Sequence, residues 1–83
     1  MRVLISRQAE KDLKKIEAAM RKRIVMELLD LENGIDSKDI KKLKGELDRW
    51  RLRVGDYRVV MTIDQGRLII IALHIAHRRE AYR

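Results

Sequence analysis

The chain has 83 residues, 46% hydrophobic and 40% charged, with a formal net charge of +7 and no cysteine. That length admits one small domain, residues 1–83, with no room for a second domain or a cofactor-sized fold, and the share of apolar residues is that of a folded chain rather than a disordered one. Without cysteine there is no disulfide or thiolate metal site, and the longest stretch free of Asp, Glu, Lys and Arg, Leu68 to Ala76, is far below the roughly 20 residues of a membrane span. Met1 to Ile5 reads as a short strand that meets charged residues at once, which is not the pattern of a signal peptide, so a cytoplasmic protein is expected. Ser6 is placed to cap a helix. Apolar residues then recur at Ala9, Leu13, Ile16, Met20, Ile24, Leu28 and Leu31, spacings of three and four that keep one helical face in phase. A single helix from Arg7 to Glu32 would be about 39 Å long, more than the roughly 30 Å of a domain this size, so a helical hairpin with its break at Glu17–Ala19 is expected. Asn33-Gly34 stops the helical pattern, and Lys41-Lys42-Leu43-Lys44-Gly45 reads as a basic connector.

From Leu47 the period changes to two. Trp50, Leu52 and Val54 alternate with Arg49, Arg51 and Arg53, the pattern of a half-buried strand. Gly55-Asp56 suits a type II′ hairpin loop, with Tyr57–Ile63 as the return strand. Asp64-Gln65-Gly66-Arg67 makes a further turn, and Leu68–Ile75, apolar on both faces, reads as an interior strand. The fold class is therefore α+β, with an N-terminal helical hairpin packed on one face of a small, mainly antiparallel sheet.

The two-residue loop fixes the register: Val54 opposite Tyr57, Arg53 opposite Arg58, Leu52 opposite Val59 and Arg51 opposite Val60. Arg49, Arg51, Arg53 and Arg58 then share one face, while Trp50, Leu52, Val54, Tyr57, Val59, Met61 and Ile63 share the face the helices cover. Like charges directly opposite one another are destabilising. An anion bound between them would offset that cost, and guanidinium groups suit phosphate oxygens and the added charge of a phosphoryl-transfer transition state. Alternating arginines also serve simply to keep a sheet face soluble. Residues 1–40 hold nine Lys/Arg against eight Asp/Glu, and residues 41–83 hold eleven against five, so the positive field lies in the second half. It favours a polyanion such as nucleic acid, and it equally fits solubility or an acidic protein partner. His74, inside an apolar strand, reads as a structural histidine. His77, beside Arg78 and Arg79, is open to a surface or a catalytic reading, and Trp50 belongs to the core. Lys41, Lys42 and Lys44 are candidate nucleic-acid backbone contacts or a solvated loop, and Arg49 and Arg79 extend the candidate nucleic-acid-binding set. Two isolated histidines and no carboxylate pair at ligand spacing imply no metal and no cofactor.

Lys42-Leu43-Lys44-Gly45, Trp50 to Val60, and His74-Ile75-Ala76-His77-Arg78-Arg79-Glu80-Ala81-Tyr82-Arg83 together resemble the RelE/ParE superfamily of bacterial and archaeal toxins, in its RelE-like branch, over the whole chain. The resemblance implies a toxin of a type II toxin–antitoxin system with the RelE-like microbial RNase-type fold. It implies an endoribonuclease that cuts mRNA in the ribosomal A site by attack of the ribose 2′-OH on the adjacent phosphate, and a cognate antitoxin partner. Residue by residue, Arg51 and Arg53 fall at the family's basic strand positions, Arg58 at an arginine of the site, Arg78 at a tail arginine and Tyr82 at a tyrosine that transfers protons or stacks on a base. Where relatives have lysines this chain has Arg51 and Arg53, which do not act as neutral bases. The resemblance thus leaves proton transfer to His77 or Tyr82. Many relatives also have a proline near the hairpin break, where this chain has Glu17-Ala18-Ala19. Two other functions fit the same chain: a ParE-like inhibitor of DNA gyrase, and a non-catalytic RNA- or ribosome-binding module that blocks translation.

Overall fold

Ser6 ends the first strand and starts the first helix. In the structure, a computed structural model that describes residues 1–34, 39–45 and 48–77, strand β1 (Arg2–Ile5) leads into helix α1 (Arg7–Lys14). Ser6 Oγ accepts from the Ala9 amide at 3.0 Å and donates to the Leu73 carbonyl at 2.7 Å. One hydroxyl therefore caps the helix and ties it to the sheet.

The helical hairpin breaks at Lys15–Glu17, slightly ahead of the expected Glu17–Ala19, and helix α2 spans Ala18–Asp30. The last turn of α1 tightens, with Lys15 N bonded to Asp12 O and Ile16 N to Leu13 O, both at 3.1 Å. The Glu17 carboxylate then accepts from the Ala19 amide at 2.8 Å. A side-chain cap thus restarts the helix without glycine or proline. The longest extent of the molecule is 34 Å, too short for one continuous helix of that sequence. Ala9, Leu13, Ile16, Ile24, Leu28 and Leu31 are buried and Met20 packs beside them, so the apolar phase read from the sequence is the core face. A 3-10 turn, Leu31–Asn33, ends at Gly34 with φ +131°.

Four further strands complete a mixed sheet: β2 (Ile40–Lys42), β3 (Trp50–Val54), β4 (Tyr57–Asp64) and β5 (Ile69–His77). Their spatial order is β1-β5-β4-β3-β2, with β1 parallel to β5 and every other neighbour antiparallel. The fold is the expected α+β hairpin-on-sheet, with β5 as an interior strand. The β3–β4 register is the one the loop dictates, including Arg53 opposite Arg58. Gly55 has φ +59° and Asp56 is not left-handed, as a type II′ loop requires.

Three details depart from the expectation. Lys41 and Lys42, read as part of a connector, belong to edge strand β2, which pairs Ile40 with Leu52, Lys41 with Arg51 and Lys42 with Trp50. Leu68 belongs to the turn and not to the strand: it has φ +56° and is 58% exposed. Its turn is held by the Arg67 amide, which donates to Asp64 Oδ1 at 3.1 Å. Finally, β5 contains a bulge. Val60 pairs with His74 but Met61 pairs with Ala72, so Leu73 is the extra residue and the alternation of β5 reverses there.

Leu52, Val54, Val59 and Met61 are buried under the helices, with Trp50, Tyr57 and Ile63 packed at the margin, which is the face assignment made from the sequence. Among the described residues no helix is long and apolar enough to cross a membrane.

Candidate nucleic-acid interface

The face opposite the helices is organised in rows by the strand register. One row runs Lys41–Arg51–Val60–His74, and the next runs Arg53–Arg58–Ala76. Asp39 enters beside Arg53, whose amide donates to the Asp39 carbonyl at 3.1 Å. Residues paired across strands share a face, so this surface gathers cationic side chains from three strands.

The four-arginine face is not uniform. Arg51, expected to project to solvent, is only 7% exposed. Its Nη1 donates to Asp39 Oδ1 at 2.9 Å and to the Asp39 carbonyl at 3.3 Å. Arg53 Nε lies 3.8 Å from Asp39 Oδ2 and its side chain is 43% exposed. The Arg51 hydrogen bond is the main reason the Asp39 carboxyl is held below its ordinary value. Desolvation opposes this, and the charges of Arg51, Arg53 and Lys41 add to it. Strand β2 brings Asp39 to this place, so the segment expected as a connector is what covers Arg51. Nothing in the spacing around Asp39 marked it beforehand. Arg51 therefore fastens β2 to β3, and the cations offered outward are Arg53, exposed Lys41 and half-buried Arg58.

His77 lies elsewhere. It pairs with Tyr57 on the helix-covered side, the rings meeting edge-on with centroids 5.4 Å apart and planes at 82°. A groove there is lined by Asp12, Lys15, Ile16, Tyr57, Ile75 and His77. The structure does not bring His77 together with Arg51, Arg53 and Arg58. It brings His74 instead, exposed on the arginine face. The cause is the bulge at Leu73, which a run of apolar residues cannot announce.

The remaining candidates scatter. Lys42 is on the helix side, its Nζ over the Trp50 ring at 6.0 Å from the centroid in a cation–π contact. Lys44 is exposed in the β2–β3 connection and Arg49 is half-buried. Arg78, Arg79 and Tyr82 lie outside the described residues. The Arg53–Arg58 pair is the part of this surface best suited to a phosphodiester, because two adjacent permanently charged forks can each hold a phosphate oxygen.

These features define a class: a small α+β microdomain with a helical hairpin on one face of its sheet and arginines on the other. The family described as ParE toxin of type II toxin-antitoxin system, parDE, matches residues 3–82. Toxin RelE3 of Methanocaldococcus jannaschii is 34% identical over 86 residues, covering 99% of this chain and 96% of that protein. In fold, the chain is similar to a chain of the RelB-RelE antitoxin-toxin complex from Methanococcus jannaschii, with TM-score 0.80, 32% identity and coverage of 95% and 94% of the two chains. It is also similar to a chain of the toxin-antitoxin complex RelBE2 from Mycobacterium tuberculosis, with TM-score 0.83, 25% identity and coverage of 93% and 96%. The RelE-RelB complex from Pyrococcus horikoshii gives 0.72, 30% identity and coverage of 93% of each chain. This chain belongs to the RelE/ParE family of type II toxin–antitoxin toxins.

Proposed function

We propose that this toxin is an endoribonuclease that cuts mRNA on the ribosome, the ribose 2′-OH attacking the adjacent phosphate, and that a cognate antitoxin neutralises it. The observation that carries the reading is the cross-strand pair Arg53–Arg58, set on the sheet face the helices leave uncovered and flanked by Lys41. Arginine cannot give up its charge, so such a pair stabilises the extra negative charge of a pentavalent phosphorane without a metal. Arg78 and Tyr82 are proposed to take part in the reaction, as the family resemblance implies, and Lys44, Arg49 and Arg79 to contact RNA backbone. Relatives named RelE support the RNA reading over the gyrase one. The antitoxin partner is supported by the Methanococcus jannaschii and Pyrococcus horikoshii relatives, which were solved as toxin–antitoxin complexes.

Primer extension on a defined mRNA, with purified toxin and translating ribosomes, tests the reading. Discrete ribosome-dependent cuts are expected, and Arg58→Ala should slow them by on the order of 10²-fold or more, the usual cost of losing one group that stabilises transition-state charge. Intact mRNA in the presence of folded toxin would overturn the reading.

A further inference from the structure

We infer that His74, and not His77, is the proton-transferring side chain of the site, an assignment that rests on the endoribonuclease reading above. His74 is the one polar residue in the run Leu68–Ala76, and without the bulge at Leu73 it would share a face with Ala72 and Ile70, which are fully buried. The bulge turns it instead onto the arginine face, exposed and opposite Val60. Val60 in turn is opposite Arg51, and Arg58 lies two residues before Val60 on the same face. Arg58 and His74 are thus diagonal cross-strand neighbours, at about 7–8 Å. At that backbone spacing both side chains can reach one phosphodiester, the guanidinium toward a phosphate oxygen and the imidazole toward the 2′-OH of the adjacent ribose.

The chemistry of the neighbouring groups narrows the choice. Arg51, Arg53 and Arg58 keep their protons, and the Asp39 carboxylate is engaged by Arg51 and Arg53. Lys41 lies three strands from His74, at the far end of the same row. Histidine is the side-chain type that accepts and returns a proton near neutral pH. In the step proposed, an imidazole nitrogen of His74 takes the proton of the 2′-OH, O2′ forms its bond to phosphorus and the P–O5′ bond breaks. The departing 5′-oxygen takes a proton from water, and the imidazolium returns its proton to the hydroxide left behind. The products are a 2′,3′-cyclic phosphate and a 5′-hydroxyl, while Arg53 and Arg58 hold the charge that builds on the equatorial oxygens.

The test measures ribosomal cleavage rate and ribosome co-sedimentation for wild type, His74→Gln, His74→Ala and His77→Gln. Because His74 is exposed, its replacement leaves the core intact. The expected result is a loss on the order of 10²–10⁴-fold in cleavage for both His74 variants, with co-sedimentation changed by no more than about threefold and with partial rescue of His74→Ala by added imidazole. Wild-type cleavage by His74→Gln, a loss confined to His77→Gln, or equal losses of binding and cleavage would each overturn the assignment while the endoribonuclease reading stands. Intact mRNA with the wild-type toxin would instead bring down that reading, and the assignment with it.

Discussion

Asp39 shows how one residue changes the meaning of its neighbours. Its carboxylate accepts from Arg51 and lies beside Arg53, so a face that counts as four like charges in sequence contains an internal anion. Arg51 is buried and Asp39 about half exposed, which makes the pair a staple between β2 and β3 with one end in water. Because the Asp39 carboxyl is held below its ordinary value, the stability it contributes is present at and above the usual carboxylate range and disappears as pH falls through the depressed value. Asp39→Asn keeps an acceptor for Arg51 but removes the charge. It is expected to cost about 1 kcal/mol or less at neutral pH, given the exposed carboxylate, and to flatten the acid limb of the stability curve. Thermal melts of both proteins from acid to neutral pH check this, and parallel curves of equal height would refute it. Arg53, Arg58 and their opposition were legible from residue type and loop length alone. Asp39 was not, because its partners lie 12 and 14 positions away across a strand of only three residues.

At the scale of elements, legibility followed periodicity. The β3–β4 ribbon could be registered from its sequence because polar and apolar residues alternate and the Gly55-Asp56 loop has a single geometry. The helical face was legible for the same reason, and the hairpin followed from length, although the cap that places the break at Glu17 is a carboxylate with no strong signature. Strand β5 carried no phase: Ile69 to Leu73 are apolar whichever face they meet, so neither the bulge nor the side on which His74 emerges could be read. What holds β5 in its shifted phase is α1. Asp12 Oδ2 accepts from the Ile75 amide at 2.8 Å, past the end of β1, where no strand offers a carbonyl, and Gln8 Nε2 donates to Asp12 Oδ1 at 2.8 Å. Asp12→Ala removes the acceptor from a partly buried amide and is expected to destabilise the fold by about 1–2 kcal/mol. Denaturant unfolding measures the cost, and hydrogen exchange should accelerate at Ile75 more than at Val59 across the ladder. Unchanged stability with unchanged exchange would mean that the bulge is self-supporting.

For the whole molecule, the two faces of one sheet divide the work. The helices take the apolar side and leave the other to Lys41, Arg53, Arg58 and His74, while the excess charge of the chain falls in residues 41–83, which supply β3, β4 and β5. A cationic surface built this way binds a polyanion largely by releasing its counterions, so affinity falls linearly with salt on logarithmic axes, by about 0.7 per phosphate contacted on a single strand. Arg58 and His74 should separate cleanly on that scale. Arg58→Ala removes the proposed phosphate contact, so the slope for RNA binding should decrease by about 0.7 and affinity should drop at low salt. His74→Gln removes no fixed charge and should leave the slope unchanged even where cleavage collapses. Fluorescence anisotropy with a short RNA in which a 2′-deoxy sugar precedes the scissile phosphate measures both without cleavage. An Arg58→Ala slope equal to that of wild type would place the phosphate elsewhere on the molecule, and a slope that decreases equally in both variants would make His74 part of the electrostatic surface and not of the chemistry.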